Sequence, residues 1–186
     1  RGAEIKDNPA RHLRVRGTGD ARAPFFTDQD EKRLLYELSQ MSNKNHLRLT
    51  KLALATGFRR SELLSLTWRN IDLKKRIICI YRKNCAAIDN SSGIRLVPLP
   101  EKAQKILEEL QRRDGKVIEL SKGSARHGFD KARKKAGLET LRFHDLRHIA
   151  ISRMWSSGMN ALEISACSGH RDIKMLMRYS HYQLSF

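Results

Sequence analysis

Apolar residues recur at helical spacing over most of this 186-residue chain. In "FFTDQDEKRLLYELSQM", Leu34, Leu35 and Leu38 mark one helical face, and Thr27, followed by acids, is a natural N-cap. "LRLTKLALATG" carries the period up to Gly57, and "RRSELLSLTW" resumes it with Ser61 and Glu62 in the opening turns. Pro100 stands just ahead of the amphipathic "EKAQKILEELQRR". Four more helices are predicted: "SARHGFDKARKKAG", closed by Gly137; "FHDLRHIAISRMWSSG", closed by Gly158; "NALEISACSG", capped by Asn160; and "DIKMLMRYSHYQ", capped by Asp172. Two stretches break the helical period. "RIICIYRKN" and "GIRLVPLP" read as strands, with turn chemistry at Asn90-Ser91-Ser92-Gly93 and a connection too long for a two-residue hairpin. The predicted fold is mainly α with a small antiparallel β-sheet, an α+β class. Residues 1–25 are basic, carry glycines and lack an apolar period, so they read as a linker or arm ahead of one structured domain at 26–186.

Composition narrows the class of partner. Hydrophobic residues make up 40% of the chain, enough for a real core. The net charge of +17 repels itself unless a polyanion compensates it, which favours nucleic acid first and an anionic membrane surface second. Cys79, Cys85 and Cys167 are odd in number and scattered, with no Cys-x-x-Cys pair. That excludes a disulfide framework and points to a reducing, cytoplasmic setting without a zinc site. No run approaches ~18 apolar residues, so no segment is expected to span a bilayer. The chain starts at Arg1 rather than Met and so reads as a fragment.

Three stretches carry candidate chemistry. In "FHDLRH", His144 and Arg147 lie three apart and share a helix face, with His148 beside them. The guanidinium fork suits phosphate oxygens, and imidazole hydrogen-bonds the same group or moves a proton. A basic helix face with a packed histidine reads equally well, whereas zinc is disfavoured because no third ligand stands at a suitable spacing. In "ATGFRRSELLSL", Arg59 or Arg60 opens a helix, where the dipole favours anions; a bound anion would reconcile the two, with Glu62 holding the arginine. The third stretch, "SGHRDIKMLMRYSHYQ", holds His170, Tyr179, His181 and Tyr182. Tyr182 sits near a fraying end. Tyr36 reads as core, Tyr81 as packed beside Ile80, and Trp68 and Trp155 as core. Arg126, His127, Lys131, Arg133, Lys134 and Lys135 form a basic helix that faces either DNA or solvent.

Taken in order, "ATGFRRSELLSL", "RKN" before "RLVPL", "HDLRH", "SGH" and "MRYSH" resemble the tyrosine recombinase, or phage-type integrase, family over residues 26 to 182. The chain is similar both to integrases and to shufflon-type DNA inversion enzymes. The resemblance implies a catalytic domain in which Arg59 and Arg147 clamp the scissile phosphate. His144 and His170 assist them, Tyr179 is the nucleophile and Lys83 protonates the leaving 5′ oxygen. Arg82-Lys83 stands where the family has Thr-Lys, and Ser168-Gly169-His170 where it has Leu-Gly-His. The resemblance further implies DNA cleavage and rejoining through a 3′-phosphotyrosine, with no cofactor, metal or ATP. It implies double-stranded DNA as partner, a tetramer assembled on DNA, accessory DNA-bending or directionality proteins, and no membrane. The family's N-terminal DNA-binding domain would lie outside this chain, residues 1–25 being the interdomain linker. Two other readings share the fold: a type IB topoisomerase-like nicking and resealing enzyme, and a DNA-binding regulator without catalysis. A metal-dependent nuclease is disfavoured because no carboxylate cluster stands out.

Overall fold

A computed structural model describes residues 26–81, 94–110, 114–170 and 176. The arm at 1–25, the turn at 90–93 and the helix expected at 172–183, apart from Leu176, lie outside the described residues. Helix α1 (Asp28–Ser39) starts where the sequence places it. Thr27 Oγ1 accepts from Asp30 N, and the Asp30 carboxylate accepts from Thr27 N, a reciprocal cap. Then follow α2 (Asn45–Thr56), α3 (Arg60–Ser65) and three short strands, β1 (Ile71–Asp72), β2 (Ile77–Tyr81) and β3 (Ile94–Pro98). Helices α4 (Glu101–Glu108), α5 (Lys122–Lys135), α6 (Asp145–Ser156) and α7 (Ala161–Ser168) complete the order. The sheet is antiparallel in the order β1-β2-β3, with Ile78 opposite Val97 and Ile80 opposite Arg95. Among the described residues no helix is long and apolar enough to cross a membrane.

Helix α2 is the hub, packed against α1, α3, α4, α5 and α6. Its Leu49, Leu52 and Ala53 meet Leu34 and Leu38 of α1, Leu146 and Ile151 of α6 and Ile164 of α7 in one continuous core. Leu176 is helical and fully buried, which ties the chain beyond α7 into that core.

Three readings of the sequence need correction. The helix expected through Trp68 stops at Ser65. Leu66 is extended, Asn70 Oδ1 takes hydrogen bonds from both the backbone and hydroxyl of Thr67, and Trp68 enters a 3₁₀ turn half-buried against the core. Tyr36 is 62% exposed, because Leu34 and Leu38 lie one turn apart on the buried face and Tyr36 falls opposite them. Tyr81 is 64% exposed for the analogous reason in a strand: Ile78 and Ile80 point inward, and alternation turns Tyr81 outward.

The contact between α2 and α5 depends on a missing side chain. Gly128 lies under the buried His46 ring, where a Cβ would stand 2.3 Å from two ring atoms. Gly→Ala in a helix interior ordinarily stabilises by roughly 0.5–1 kcal/mol. Here the sign should reverse: Gly128→Ala is expected to lose about 1–3 kcal/mol to overpacking. His46→Ala in the same chain should restore part of that loss. Urea denaturation of the single and double variants checks both.

Candidate active site

Three segments distant in sequence converge around Arg147. α2 ends at Gly57, whose left-handed backbone (φ 66°) turns the chain sharply and leaves its carbonyl pointing at α6. Arg147 on α6 is 3% exposed and donates from Nη1 to that carbonyl at 2.6 Å. Its Nη2 lies 3.3 Å and 3.4 Å from the two ring nitrogens of His170. One guanidinium thus spans the end of α2, the first turn of α6 and the segment after α7. Both of these partners are neutral, so neither cancels its charge.

Arg59 stands immediately before α3, half-exposed. Glu62 accepts from its backbone N–H at 2.7 Å and from its Nη1 at 3.2 Å. The carboxylate at the third helical position so offsets the cation that the helix start would otherwise disfavour. His144 caps the start of α6 and is exposed; its ring meets His148 edge-on, with centroids 5.1 Å apart. Arg59, His144, Arg147 and His170 are therefore brought into one neighbourhood. Lys83 and Tyr179 lie outside the described residues.

The electrostatics follow from this crowding of cations. His170 is held at a pKa of about 4, first by burial and then by Arg147, Arg59, His148 and Arg95. His144 is lowered by desolvation and then by Arg147, and His148 by burial and then by His144. All three imidazoles are neutral near pH 7. Beside His144 and Arg147 a cleft of about 390 Å³ is lined by Arg60, Arg126, Arg133, Arg142 and the rings of Phe58, Phe129 and Phe143, with Asp130 as its carboxylate. On α5, Arg126, His127, Lys131, Lys134 and Lys135 are exposed, whereas Arg133 is partly buried and bonded to Asp130. Among the described residues no group of His, Cys, Asp and Glu is arranged to hold a metal ion.

Sequence reasoning missed Arg95. It lies on β3, is 7% exposed, and donates to Ala166 O at 3.4 Å, to Cys167 O and to Glu62 Oε1 at 3.2 Å. It also stacks 5.3 Å from the Phe58 ring centroid. One side chain so joins the carboxylate that holds Arg59 to the last turn of α7, where its charge complements the helix dipole. The turn that follows is built around it. Gly169 has φ 76°, and a Cβ there would stand 2.7 Å from the Arg95 guanidinium carbon. The available signal was a charged residue inside an otherwise apolar strand, "GIRLVPLP".

Two predictions follow from this geometry. Arg95→Met keeps the volume and removes the charge, stranding the α7 carbonyls; a loss of about 3 kcal/mol is expected in urea denaturation. The second concerns pH. A histidine whose pKa is lower folded than unfolded binds fewer protons when folded. Its contribution to stability is whole above the ordinary value of 6.5 and is lost as pH falls through the folded value. The DNA-free chain should lose stability from pH 7 down to about 4, and His170→Gln should flatten that loss in melts run across the same range.

Comparison with known proteins bears on what this arrangement is. The sequence profile of the phage integrase family matches residues 24–185. The chain is 33% identical over 181 residues to the shufflon-specific DNA recombinase of Escherichia coli, covering 95% of this chain and 44% of that protein. It is 26% identical over 187 residues to the integrase of Salmonella phage P22, covering 91% and 46%. The chain thus spans about half the length of these curated relatives. In three dimensions it is similar to the catalytic domain of bacteriophage HP1 integrase, with a TM-score of 0.68, 27% identity and coverage of 85% and 87%. Profile, sequence and fold agree over nearly the whole described chain: it belongs to the phage integrase family.

Proposed function

We propose that this chain is the DNA-breaking and rejoining unit of a site-specific recombinase, and that residues 26–186 form its catalytic domain. The observation that carries this reading is the convergence on Arg147. A buried guanidinium, a second arginine and two histidines from separate segments surround one spot, and among described residues no metal site lies there. Such a spot suits a phosphodiester. Two guanidiniums bind its non-bridging oxygens, and their charge opposes the negative charge that grows as the phosphorus becomes five-coordinate. The relatives named DNA recombinase and integrase favour DNA as the source of that phosphate.

In this mechanism the Tyr179 oxygen attacks phosphorus in line. The bond to the 5′ oxygen breaks, and that oxygen takes its proton from Lys83. A phenol has an ordinary pKa near ~10, so the surrounding cations are needed to stabilise it as it passes its proton to solvent water. Beside several cations a lysine gives up its proton more readily, which suits it as the acid. The 3′-phosphotyrosine conserves the bond energy, so rejoining is the reverse step with a new 5′ hydroxyl and needs no nucleotide or metal. Arg59, Arg147, His144 and His170 act on the phosphate. Leu176, three residues before Tyr179 in sequence, is itself fully buried in the core.

Residues 1–25 are proposed as a basic arm that follows the phosphate backbone, and the exposed cations of α5 as a further DNA-facing surface. The working assembly is proposed to be a tetramer on two DNA sites in the cytoplasm, joined by accessory DNA-bending or directionality proteins.

The test is a nicked duplex that traps the covalent intermediate, incubated with excess chelator and run on a denaturing gel. Wild type should give a protein–DNA band and Tyr179→Phe none. Arg147→Ala should form the band at least ~10²-fold more slowly, the usual scale for removing a donor to the developing charge. A band that survives Tyr179→Phe would move the nucleophile elsewhere. A band that needs divalent metal would reject the mechanism.

A further inference from the structure

The Ser168 hydroxyl has one proton and two close neighbours. Its Oγ lies 2.6 Å from the carbonyl oxygen of Ile164 and 2.7 Å from Nδ1 of His170. A carbonyl oxygen only accepts, so at that separation the serine proton is committed to Ile164. The contact with His170 must then be made the other way round, with Nδ1 as the donor. We propose that Ser168 is a positioning residue that locks His170 in its Nδ1–H tautomer and thereby presents Nε2, with its lone pair, as the proton-accepting atom of the phosphate site.

The surroundings of Ser168 agree with that assignment. Ser168 is fully buried, so bulk water does not compete for its lone pairs. The backbone of His170 is fixed separately: Ser165 Oγ donates to its carbonyl at 2.7 Å, and Gly169 makes the left-handed turn over Arg95. The Nη2 of Arg147, which has hydrogens and no lone pair, lies 3.3 Å from Nδ1 and 3.4 Å from Nε2. Being equally near both ring nitrogens, it selects neither tautomer by itself; with Nδ1–H turned to Ser168, the bare nitrogen left facing it is Nε2. The opposite tautomer would place two lone pairs, on Nδ1 and Oγ, face to face at 2.7 Å. Burial and the adjacent guanidiniums keep the ring neutral before substrate arrives, so the choice of tautomer is a real one.

The consequence for chemistry rests on the phosphodiester reading above. A neutral ring in this tautomer does not donate to a phosphate oxygen. When the phosphate binds, it takes up one proton from solvent at Nε2 and then donates from both nitrogens, to Ser168 on one side and to the phosphate on the other. Ser168 accepts in both states, so the ring does not reorient between them. Leucine, which the family resemblance places at this position, offers no such acceptor.

The experiment reads the tautomer directly. In the ¹⁵N-labelled chain at neutral pH, long-range proton–nitrogen correlation should show His170 protonated at Nδ1 and bare at Nε2, with the signal assigned by its loss in His170→Gln. Ser168→Thr, which keeps the hydroxyl, should preserve the pattern, and Ser168→Ala should shift the ring towards Nε2–H. On the nicked duplex, Ser168→Ala should cleave roughly 10-fold more slowly at unchanged DNA affinity, with threonine restoring the rate. An Nε2–H ring in the wild type overturns the proposal, and that spectrum needs no variant to fold. An unchanged tautomer in Ser168→Ala overturns it too. The expected spectra with no covalent adduct from any form of the chain would uphold the tautomer lock and count instead against the recombinase reading.

Discussion

A guanidinium buried as deeply as Arg147 must satisfy its donors within the fold, because an unpaired buried charge costs several kcal/mol. That requirement organises the centre of this molecule. The Gly57 carbonyl is available because α2 ends in a left-handed turn at that point rather than running on. The His170 ring is available because Gly169 turns the chain back at the end of α7. Remove either turn and the arginine loses a partner; remove the arginine and two helix ends lose the group that fixes their distance. The same contact that stabilises the fold therefore sets the spacing of the site.

Arg95 does the same work one layer out. It holds the carbonyl end of α7 and shares Glu62 with Arg59, so β3, α3 and α7 meet at one side chain. Its position explains why the turn before His170 tolerates only glycine: the backbone must be left-handed, and the space where a Cβ would go is filled by the guanidinium. An ordinary sheet buries aliphatic residues on its inner face. Here one inward position of β3 is given to a cation that ties the helices to the sheet.

Much of this was legible in the sequence, and the failures are physical. The helices of the core declared themselves through Leu34 and Leu38, Thr27 and Asn160, because period and cap are local properties. Arg59, His144, Arg147 and His170 were readable as a set through motif order, and the chain brings them together. Arg95 was hidden because alternation in "IRLVP" suggests Ile94 and Leu96 as the inward residues; the strand is turned the other way, leaving Leu96 61% exposed and Arg95 inside. Only the tertiary partners of that arginine decide the register. Tyr36 and Tyr81 were misplaced for the opposite reason: a large ring suggested burial, when the phase of the neighbouring leucines and isoleucines already pointed each outward. The role of Ser168 was invisible, since it depends on a helical carbonyl four residues back and a ring two residues ahead.

The cations of this site crowd one another, which bears on the charge of the ligand it would accept. Arg59, Arg147 and Arg95 all act on His170, and Glu62 is shared between two of them. Burial first, and the neighbouring charges second, lower the pKa of each histidine and keep it neutral. An anion entering among these groups offsets the part of that suppression that comes from the cations. It pairs with the guanidiniums and at the same time makes an imidazolium affordable, so binding and proton uptake are coupled. A neutral ligand of the same shape gains neither benefit. The charge state of the site thus favours an anion over a neutral ligand of the same shape.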